Sequence, residues 1–314
     1  MGCATTKCGA VANRRLAGRT VKLVVPYPPG ALGDTVARLL GDELQKSLGQ
    51  SFIVENQPGA GGNVGAAAVA RSPADGHALL IAATNNLVIN QYLYPNMAFD
   101  PLAAFDAVSI LVDVPAVVFI NAEVPAKTVA EFIAHAKANH GKLNYGSPSA
   151  GTTPHLAAEV VNKRHGLAMS HVSFRGAAPA ITGLIRNDVQ LVIIGAGVGT
   201  QYVQGGQLRA LAASGDTPMA ILPGLPLFRD VGLGDIDVGN WWALAAPAGT
   251  PKPIIDKLNA AVRSALNGAI VKPKIEQLGA VVVASSAEGM ARQLPKEAAY
   301  WAKVVQETGA KPQQ

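Results

Sequence analysis

Val21-Lys22-Leu23-Val24-Val25-Pro26-Tyr27-Pro28-Pro29-Gly30-Ala31-Leu32-Gly33-Asp34 begins as an aliphatic strand, breaks on a proline and glycine turn, and ends on a residue suited to N-cap a helix. The helix that follows carries Val36, Leu40, Leu44 and Leu48 four apart, which gives it one apolar face. Gly49 stands where a left-handed C′ residue would close it. A buried strand, a polar turn and an amphipathic helix in that order argue for α/β architecture with parallel strands and crossover helices.

The alternation continues outward. Ser51–Glu55 and Ala78–Ala83 read as further strands, the latter ending in the polar tip Thr84-Asn85-Asn86. A second block starts near Val124, where Thr128 and Glu131 form a capping box for a helix reaching about Asn139, with Gly141 as its stop. Leu143–Gly146 is a short strand; Thr153 is the expected cap, and Pro154 the N1 residue, of a helix ending near Gly166. Strand Met169–Phe174, a helix from Pro179 to Asn187, and strands Val189–Ile194 and Leu208–Ala213 follow. The pattern changes again from Asp237. Strand Trp241–Ala246 precedes a helix opened by Thr250 and Pro251, with Ile254, Ile255, Leu258 and Val262 on one face. After strand Ala280–Ala284, Ser285 and Glu288 form a second capping box, and Pro295 is expected to kink or divide the last helix. No low-complexity tether separates the blocks, so short hinge strands must join them. The expected division is a leader-like 1–20, a first lobe of 21–120 plus 243–314, and a second lobe of 121–242.

Composition narrows the function classes. The 314 residues are 49% hydrophobic and 15% charged, enough to bury sizeable cores, while 33 Gly and 21 Pro fit many tight turns. A net charge of +5 is spread along the chain with no basic stripe, which argues against nucleic acid as a partner. Cys3 and Cys8 are the only cysteines, so the body has no thiol for catalysis, metal binding or a disulfide. No apolar run approaches the ~18 residues of a membrane span. Residues 1–20 lack the apolar segment of a secretory signal, leaving open a truncated start or a cytoplasmic chain.

Three polar loops, 26–34, 84–90 and 146–155, each follow an apolar strand, and the first and third precede a helix. Ligands of open α/β sheets lie at such strand ends, where unpaired helix amides and the helix dipole favour an anion. Each residue also has a plainer reading. Asp34 is better taken as a cap than as a catalytic acid. Ser147, Ser149 and Thr152 are either ligand-facing or turn residues. His155, near a helix start, is more readily a packed or capping histidine than a base, and Arg175 is either a surface charge or ligand-facing. Enzyme motifs fail: Gly195-Ala196-Gly197-Val198-Gly199-Thr200 lacks the last glycine of a dinucleotide fingerprint, and Ser147-Pro148-Ser149-Ala150-Gly151 lacks the first glycine of a nucleophile elbow. No catalytic, metal or cofactor site assembles.

The same loops carry a resemblance. Val25-Pro26-Tyr27-Pro28-Pro29-Gly30 with Asp34, Val54-Glu55-Asn56-Gln57-Pro58-Gly59-Ala60-Gly61-Gly62-Asn63 with Gly65, and Asp75-Gly76 form its first half. Asn90 with Leu93-Tyr94, Tyr145-Gly146-Ser147 with His155-Leu156-Ala157, Phe174-Arg175-Gly176, Leu208-Arg209-Ala210-Leu211-Ala212 and Ala246-Pro247-Ala248-Gly249-Thr250-Pro251 complete it. The ordered set resembles the Bug/TctC family, the periplasmic solute receptors of tripartite tricarboxylate transporters, over about Val21 to Ala310. The resemblance implies a type II periplasmic-binding-protein fold, α/β, of two α/β lobes with a ligand cleft between them. It implies a monomeric receptor rather than an enzyme, with a small carboxylate (mono-, di- or tricarboxylate, or an amino or aromatic acid) as ligand and a membrane permease as partner. A signalling partner in place of the permease, or an enzyme on the same fold using Ser147 or His155, are the alternatives. The implied grip is through Tyr27, Pro28, Gly30, Ala31, Leu32, Gly33 and Asp34. Thr84, Asn85, Asn86, Ser147, Ser149, Thr152, Thr153, His155, Phe174, Arg175, Gly195 and Ala196 then select the rest of the ligand. Two departures bear on that grip: Ala31 replaces a usual glycine, where a methyl intrudes if φ must be positive, and Phe174-Arg175 replaces a usual Tyr-Lys.

Overall fold

A computed structural model describes residues 19–216, 218–219, 221–236 and 240–311. The expected leader up to Gly18, with both cysteines, and the change of pattern at Asp237 lie outside the described residues.

The chain begins β1 (Val21–Val25), α1 (Leu32–Leu48), β2 (Phe52–Asn56), α2 (Asn63–Ala70) and β3 (Ala78–Ala83), the β-α-β arrangement read from the opening stretch. Strands β2 and β3 both pair parallel to β1, with Leu23 opposite Val54 and Leu79. After β3 the backbone winds through a π-helical turn, Asn85–Ile89, into short α3 (Asn90–Leu93) and α4 (Pro101–Ala104), then β4 (Phe105–Asp113).

Next come β5 (Ala116–Asn121), α5 (Val129–Ala138), β6 (Asn144–Ser147), α6 (Thr153–Arg164), β7 (Ser170–Ser173), α7 (Ala177–Ile185), β8 (Leu191–Gly195), α8 (Ala196–Gln204) and β9 (Leu208–Ala213). The chain closes with β10 (Trp241–Pro247), α9 (Lys252–Leu266), α10 (Val271–Gln277), β11 (Val281–Val282) and α11 (Ala287–Thr308). Two sheets result, ordered β11-β4-β10-β3-β1-β2 and β7-β6-β8-β5-β9. Both are mixed: β10 runs antiparallel to β3 and β4, and β5 antiparallel to β8 and β9.

The chain changes sheet between Asp113 and Ala116, so 116–120, placed by sequence with the first lobe, form a strand of the second sheet; Trp241 and Trp242 belong to the first. The two passages run side by side, Val114 N–H donating to the Asn240 carbonyl at 3.1 Å. Beside them Ser214 N–H donates to the Ala116 carbonyl (2.7 Å), and Ala116 N–H to Ser214 Oγ (2.7 Å).

One apolar cluster covers a face of the first sheet beneath α1 and α9, and another covers a face of the second sheet beneath α7. The third joins the sheets, with Val24 and Leu80 at one end, Val118, Tyr145 and Leu156 at the other, and Met290, Leu294, Trp301 and Val304 of α11 among them. Burying side chains of that size stabilises by about 1.5–3 kcal/mol each, so α11 binds both sheets firmly.

Three expectations at helix ends are corrected. α1 begins at Leu32 with Ala31 as N-cap, and Asp34 lies one turn in. Thr152, not Thr153, is the N-cap of α6, so Pro154 falls at N2. Ser286, not Ser285, caps α11, its Oγ accepting from Gly289 N–H at 3.0 Å. Pro295 lies on the exposed face of α11, and the helix runs past it without dividing, from Ala287 to Thr308. The Thr128 cap holds, with Glu131 N–H donating to Thr128 Oγ1 at 3.1 Å.

Candidate functional site

The loop between β1 and α1 is held from below by Asp34. Its carboxylate accepts from Gly30 N–H (3.1 Å), from Arg38 Nε (3.0 Å) and a terminal guanidinium nitrogen (2.9 Å), and from Asn56 Nδ2 (3.0 Å). Burial alone would raise its pKa, but these donors and the Arg38 charge together hold it below the usual carboxylate range. With Asp34 drawn inward, the amides of Ala31, Leu32 and Gly33 have no partner among the described residues, as the first turn of a helix requires. Ala31 is extended (φ −69°), so its methyl demands no left-handed backbone; Gly30 (φ +84°) takes that conformation instead.

The underside of this loop is packed. A Cβ on Gly33 would lie 2.0 Å from Trp242 Cζ3, and Trp242 meets the Tyr27 ring edge-on at 5.4 Å. Tyr27 donates to Asn85 Oδ1 at 2.8 Å; burial pushes its pKa up to about 12 against the pull of Asn85 and Asn86. Gly61, left-handed at φ +63°, turns its carbonyl toward Asn85 Nδ2 (2.9 Å), Asn86 Nδ2 (2.9 Å) and Asn90 Nδ2 (3.1 Å). Asn86 Oδ1 also accepts from Ala83 N–H, and Thr84 Oγ1 both accepts from Trp241 N–H (2.9 Å) and donates to the Trp241 carbonyl (3.1 Å). Thr84 and Asn86 are wholly buried, so both brace the loop and offer no surface.

In the second sheet the loop after β6 is built around histidines. Gly151 N–H donates to His155 Nδ1 at 3.1 Å, Ser147 Oγ lies 2.7 Å from His171 Nε2, and the two imidazoles are 4.1 Å apart. Tyr145 stacks on His171 (5.0 Å) and donates to Glu159. Ser147 also donates to the Ser149 carbonyl (3.1 Å) and has no exposed surface, so this serine cannot meet a solute as it stands. Ser149 and Thr152 are part-exposed and Thr153 is buried. Phe174 lies against Gly146 and Gly183, whose added Cβ atoms would come within 3.0 and 2.4 Å of its ring, so it packs into the second lobe. Arg175 is exposed, with no hydrogen bond or ion pair among the described residues. Gly195 and Ala196 are buried at the start of α8, Ala196 N–H donating to the Pro115 carbonyl (3.3 Å) at the passage between sheets.

Tyr27 thus binds Asn85 and Asn86, a Cβ on Gly151 would lie 2.7 Å from Leu93 Cδ1, and the loop after β6 is tied to its neighbour by the Phe174 N–H to Ser147 carbonyl bond (2.9 Å) and the Gly176 N–H to Pro148 carbonyl bond (2.8 Å). Cavities of about 560 and 650 Å³ lie elsewhere, one beside the sheet passages against Asp113, Arg229 and Trp241, the other in the second lobe against Lys127 and Leu222; neither is lined by an expected residue. Trp242, Arg38, Asn56, Asn90 and His171 escaped the sequence reading as site residues, because each acts through another residue: Trp242 by packing on Gly33 and Tyr27, Arg38 and Asn56 on the Asp34 carboxylate, Asn90 on the Gly61 carbonyl and His171 on the Ser147 hydroxyl.

Among known proteins, the description "Tripartite tricarboxylate transporter family receptor" matches residues 36–310. The chain belongs to this family. Protein BugT of Bordetella pertussis is 32% identical over 294 residues, covering 93% of this chain and 90% of its own. A solved R. palustris protein with adipate superposes at a TM-score of 0.85 with 30% identity, over 95% of this chain and all of the other. MatC from Rhodopseudomonas palustris with bound malate gives 0.80 and 31%, over 91% and 98%. The receptor fold of two α/β sheets expected from sequence is therefore the fold of this chain, and its family is one of solute-binding receptors for carboxylates.

Proposed function

We propose that this receptor works in the periplasm, captures a small carboxylate by closing two lobes about the paired passages at 114–115 and 240, and yields it to a membrane permease. The observation that carries the reading is the trio of amides at Ala31, Leu32 and Gly33 that have no partner among the described residues, on a loop whose Asp34 carboxylate is turned inward and paired with Arg38. A carboxylate docked there gains the favourable end of the 17-residue α1, worth about 0.3–1 kcal/mol at a surface and up to ~2 when partly buried. Ser149, Thr152 and the exposed Arg175 then sort ligands by their distal groups. Structures of relatives with adipate and malate support a dicarboxylate as the first ligand to try. Micromolar capture needs about 8 kcal/mol, within reach of several charge-assisted hydrogen bonds plus apolar burial. The test is titration calorimetry of the purified chain against adipate, malate, amino acids and aromatic acids. Heat of binding with at least one acid is expected; silence with all of them, together with turnover of a substrate, would count against the reading.

A further inference from the structure

Two imidazoles beside a carboxylate site invite the idea that one of them, charged, attracts the anion. The geometry points the other way. Gly151 N–H is a donor, so His155 Nδ1 must offer a lone pair, which places the ring hydrogen on Nε2. Protonating Nδ1 would break that bond. It would also set a cation 4.1 Å, centroid to centroid, from the second imidazole. The groups packed around the pair do not invite charge. Tyr145 of β6 covers both rings (6.4 and 5.0 Å), and Ser147 of β6 bonds His171. Glu159 of α6, the carboxylate that acts on His171, already accepts from Tyr145 and pairs with Lys163 at 3.8 Å. Burial, followed by the neighbouring His171, pushes His155 down to about 3; burial lowers His171 despite the pull of Glu159.

We propose that His155 and His171 are positioning residues, an uncharged pair in tilted ring contact (33° between planes) that fixes the backbone of the loop from Ser147 to Thr153 so that this loop, and not an imidazolium, faces the ligand. Gly151, left-handed at φ +78° and directed at Leu93 of the first lobe, is the point they fix: His155 takes its N–H, while Ser147 joins His171 to the carbonyl of Ser149 two residues earlier. The inference rests on the carboxylate reading, yet its first test needs no ligand. In the uniformly ¹⁵N-labelled full chain, long-range imidazole spectra between pH 6 and 8 should show His155 with a bare Nδ1 throughout, and a slowly exchanging Gly151 amide. His155→Asn, which keeps an acceptor oxygen where Nδ1 stood, should retain that protection; His155→Leu should speed Gly151 exchange at least tenfold. A doubly protonated His155 at pH 6, or equal Gly151 exchange in wild type and both variants, would overturn the proposal. Binding provides the second test, with adipate as the probe. Affinity should vary less than twofold over this range, whereas a site needing an imidazolium of ordinary pKa near 6.5 would weaken about 25-fold from pH 6 to 8. Such weakening would overturn the proposal. Absence of adipate binding at every pH would count against the choice of ligand alone, since the spectra decide the histidines independently.

Discussion

Replacing Asp34 by Ala removes four hydrogen bonds at one stroke, and the structure says how much each matters. Arg38 contributes two of them, but its side chain is 54% exposed and recovers its solvation in water, so the ion pair itself is worth little. Gly30 is likewise an exposed residue, though its bond to Asp34 is part-buried. Asn56 Nδ2 is part-buried and keeps only the Tyr27 carbonyl (3.0 Å), so its lost bond costs more, and the Asp34 site, 4% exposed, is left as a small gap at the base of α1. Together these amount to about 2–3 kcal/mol. Urea denaturation should show a loss of that size, or roughly 5 °C in melting temperature for a chain of this length. Asp34→Asn should fare no better, because its new amide hydrogens would face Arg38 or Asn56 donors. The pH dependence supplies a control. The folded-state pKa of Asp34 is depressed, so its stabilisation is complete above the unfolded value of about 3.9 and disappears as pH falls through the folded value. The wild type should therefore lose stability in acid more steeply than Asp34→Ala. Two variants within 0.5 kcal/mol of wild type, with an unchanged acid slope, would refute the claim that Asp34 braces this loop.

Gly33→Ala should cost about 1–3 kcal/mol by forcing the Trp242 ring, and Tyr27 with it, out of place; adding Trp242→Leu should recover part of the loss in denaturation curves, and independent effects would refute the contact. Thr84→Val leaves both backbone groups of Trp241 without their partner and should destabilise by about 1–3 kcal/mol in urea, a neutral result being incompatible with the bonds described. Arg175→Ala should leave stability within about 0.5 kcal/mol of wild type, since the side chain is exposed and unpaired among the described residues. It should weaken a dicarboxylate more than a monocarboxylate in calorimetry; equal effects on both would remove Arg175 from the site.

The strands were legible because burial leaves its mark in runs of aliphatic residues: Ala78–Ala83 and Leu208–Ala213 stand where the alternation put them. Helix ends were legible only to within a residue or two. Asp34 and Ser285 are good capping residues by composition, yet the neighbouring backbone supplied another cap in each case, leaving Asp34 to reach back to Gly30 and Ser285 Oγ to accept from Ile110 N–H (2.8 Å). Helix α8 was not foreseen, because Ala196-Gly197-Val198-Gly199 has poor helix propensity. It forms because Gly199 admits the Phe119 ring, at 2.5 Å from a would-be Cβ, and Gly197 admits the Leu278 carbonyl at 2.1 Å. Such close approaches depend on partners about 80 residues away in the chain, and no local pattern announces them. The change of sheet at 114–115 was missed for a similar reason: β4 and β5 are both apolar, and periodicity carries no information about which sheet a strand joins.

Composition picks out the three loops of the proposed site, but not the role of each side chain in them, and the reason is physical. If recognition is done by backbone amides, the polar side chains around it are needed mainly to hold the backbone still, because an amide displaced by an ångström loses most of a hydrogen bond's directional energy. Asn86 on Ala83 and Gly61, Thr84 on Trp241 and His155 on Gly151 spend polar atoms on main chain, and Asp34 accepts from Gly30 N–H besides the side chains of Arg38 and Asn56. In a sequence such residues look like ligand-binding side chains, since they are polar, clustered and at strand ends. They differ only in burial, which arises from the tertiary fold. On the proposed reading, such a receptor would change its ligand by altering the part-exposed Ser149 and Thr152 and the exposed Arg175, while the amides of the first loop and their supports stay as they are.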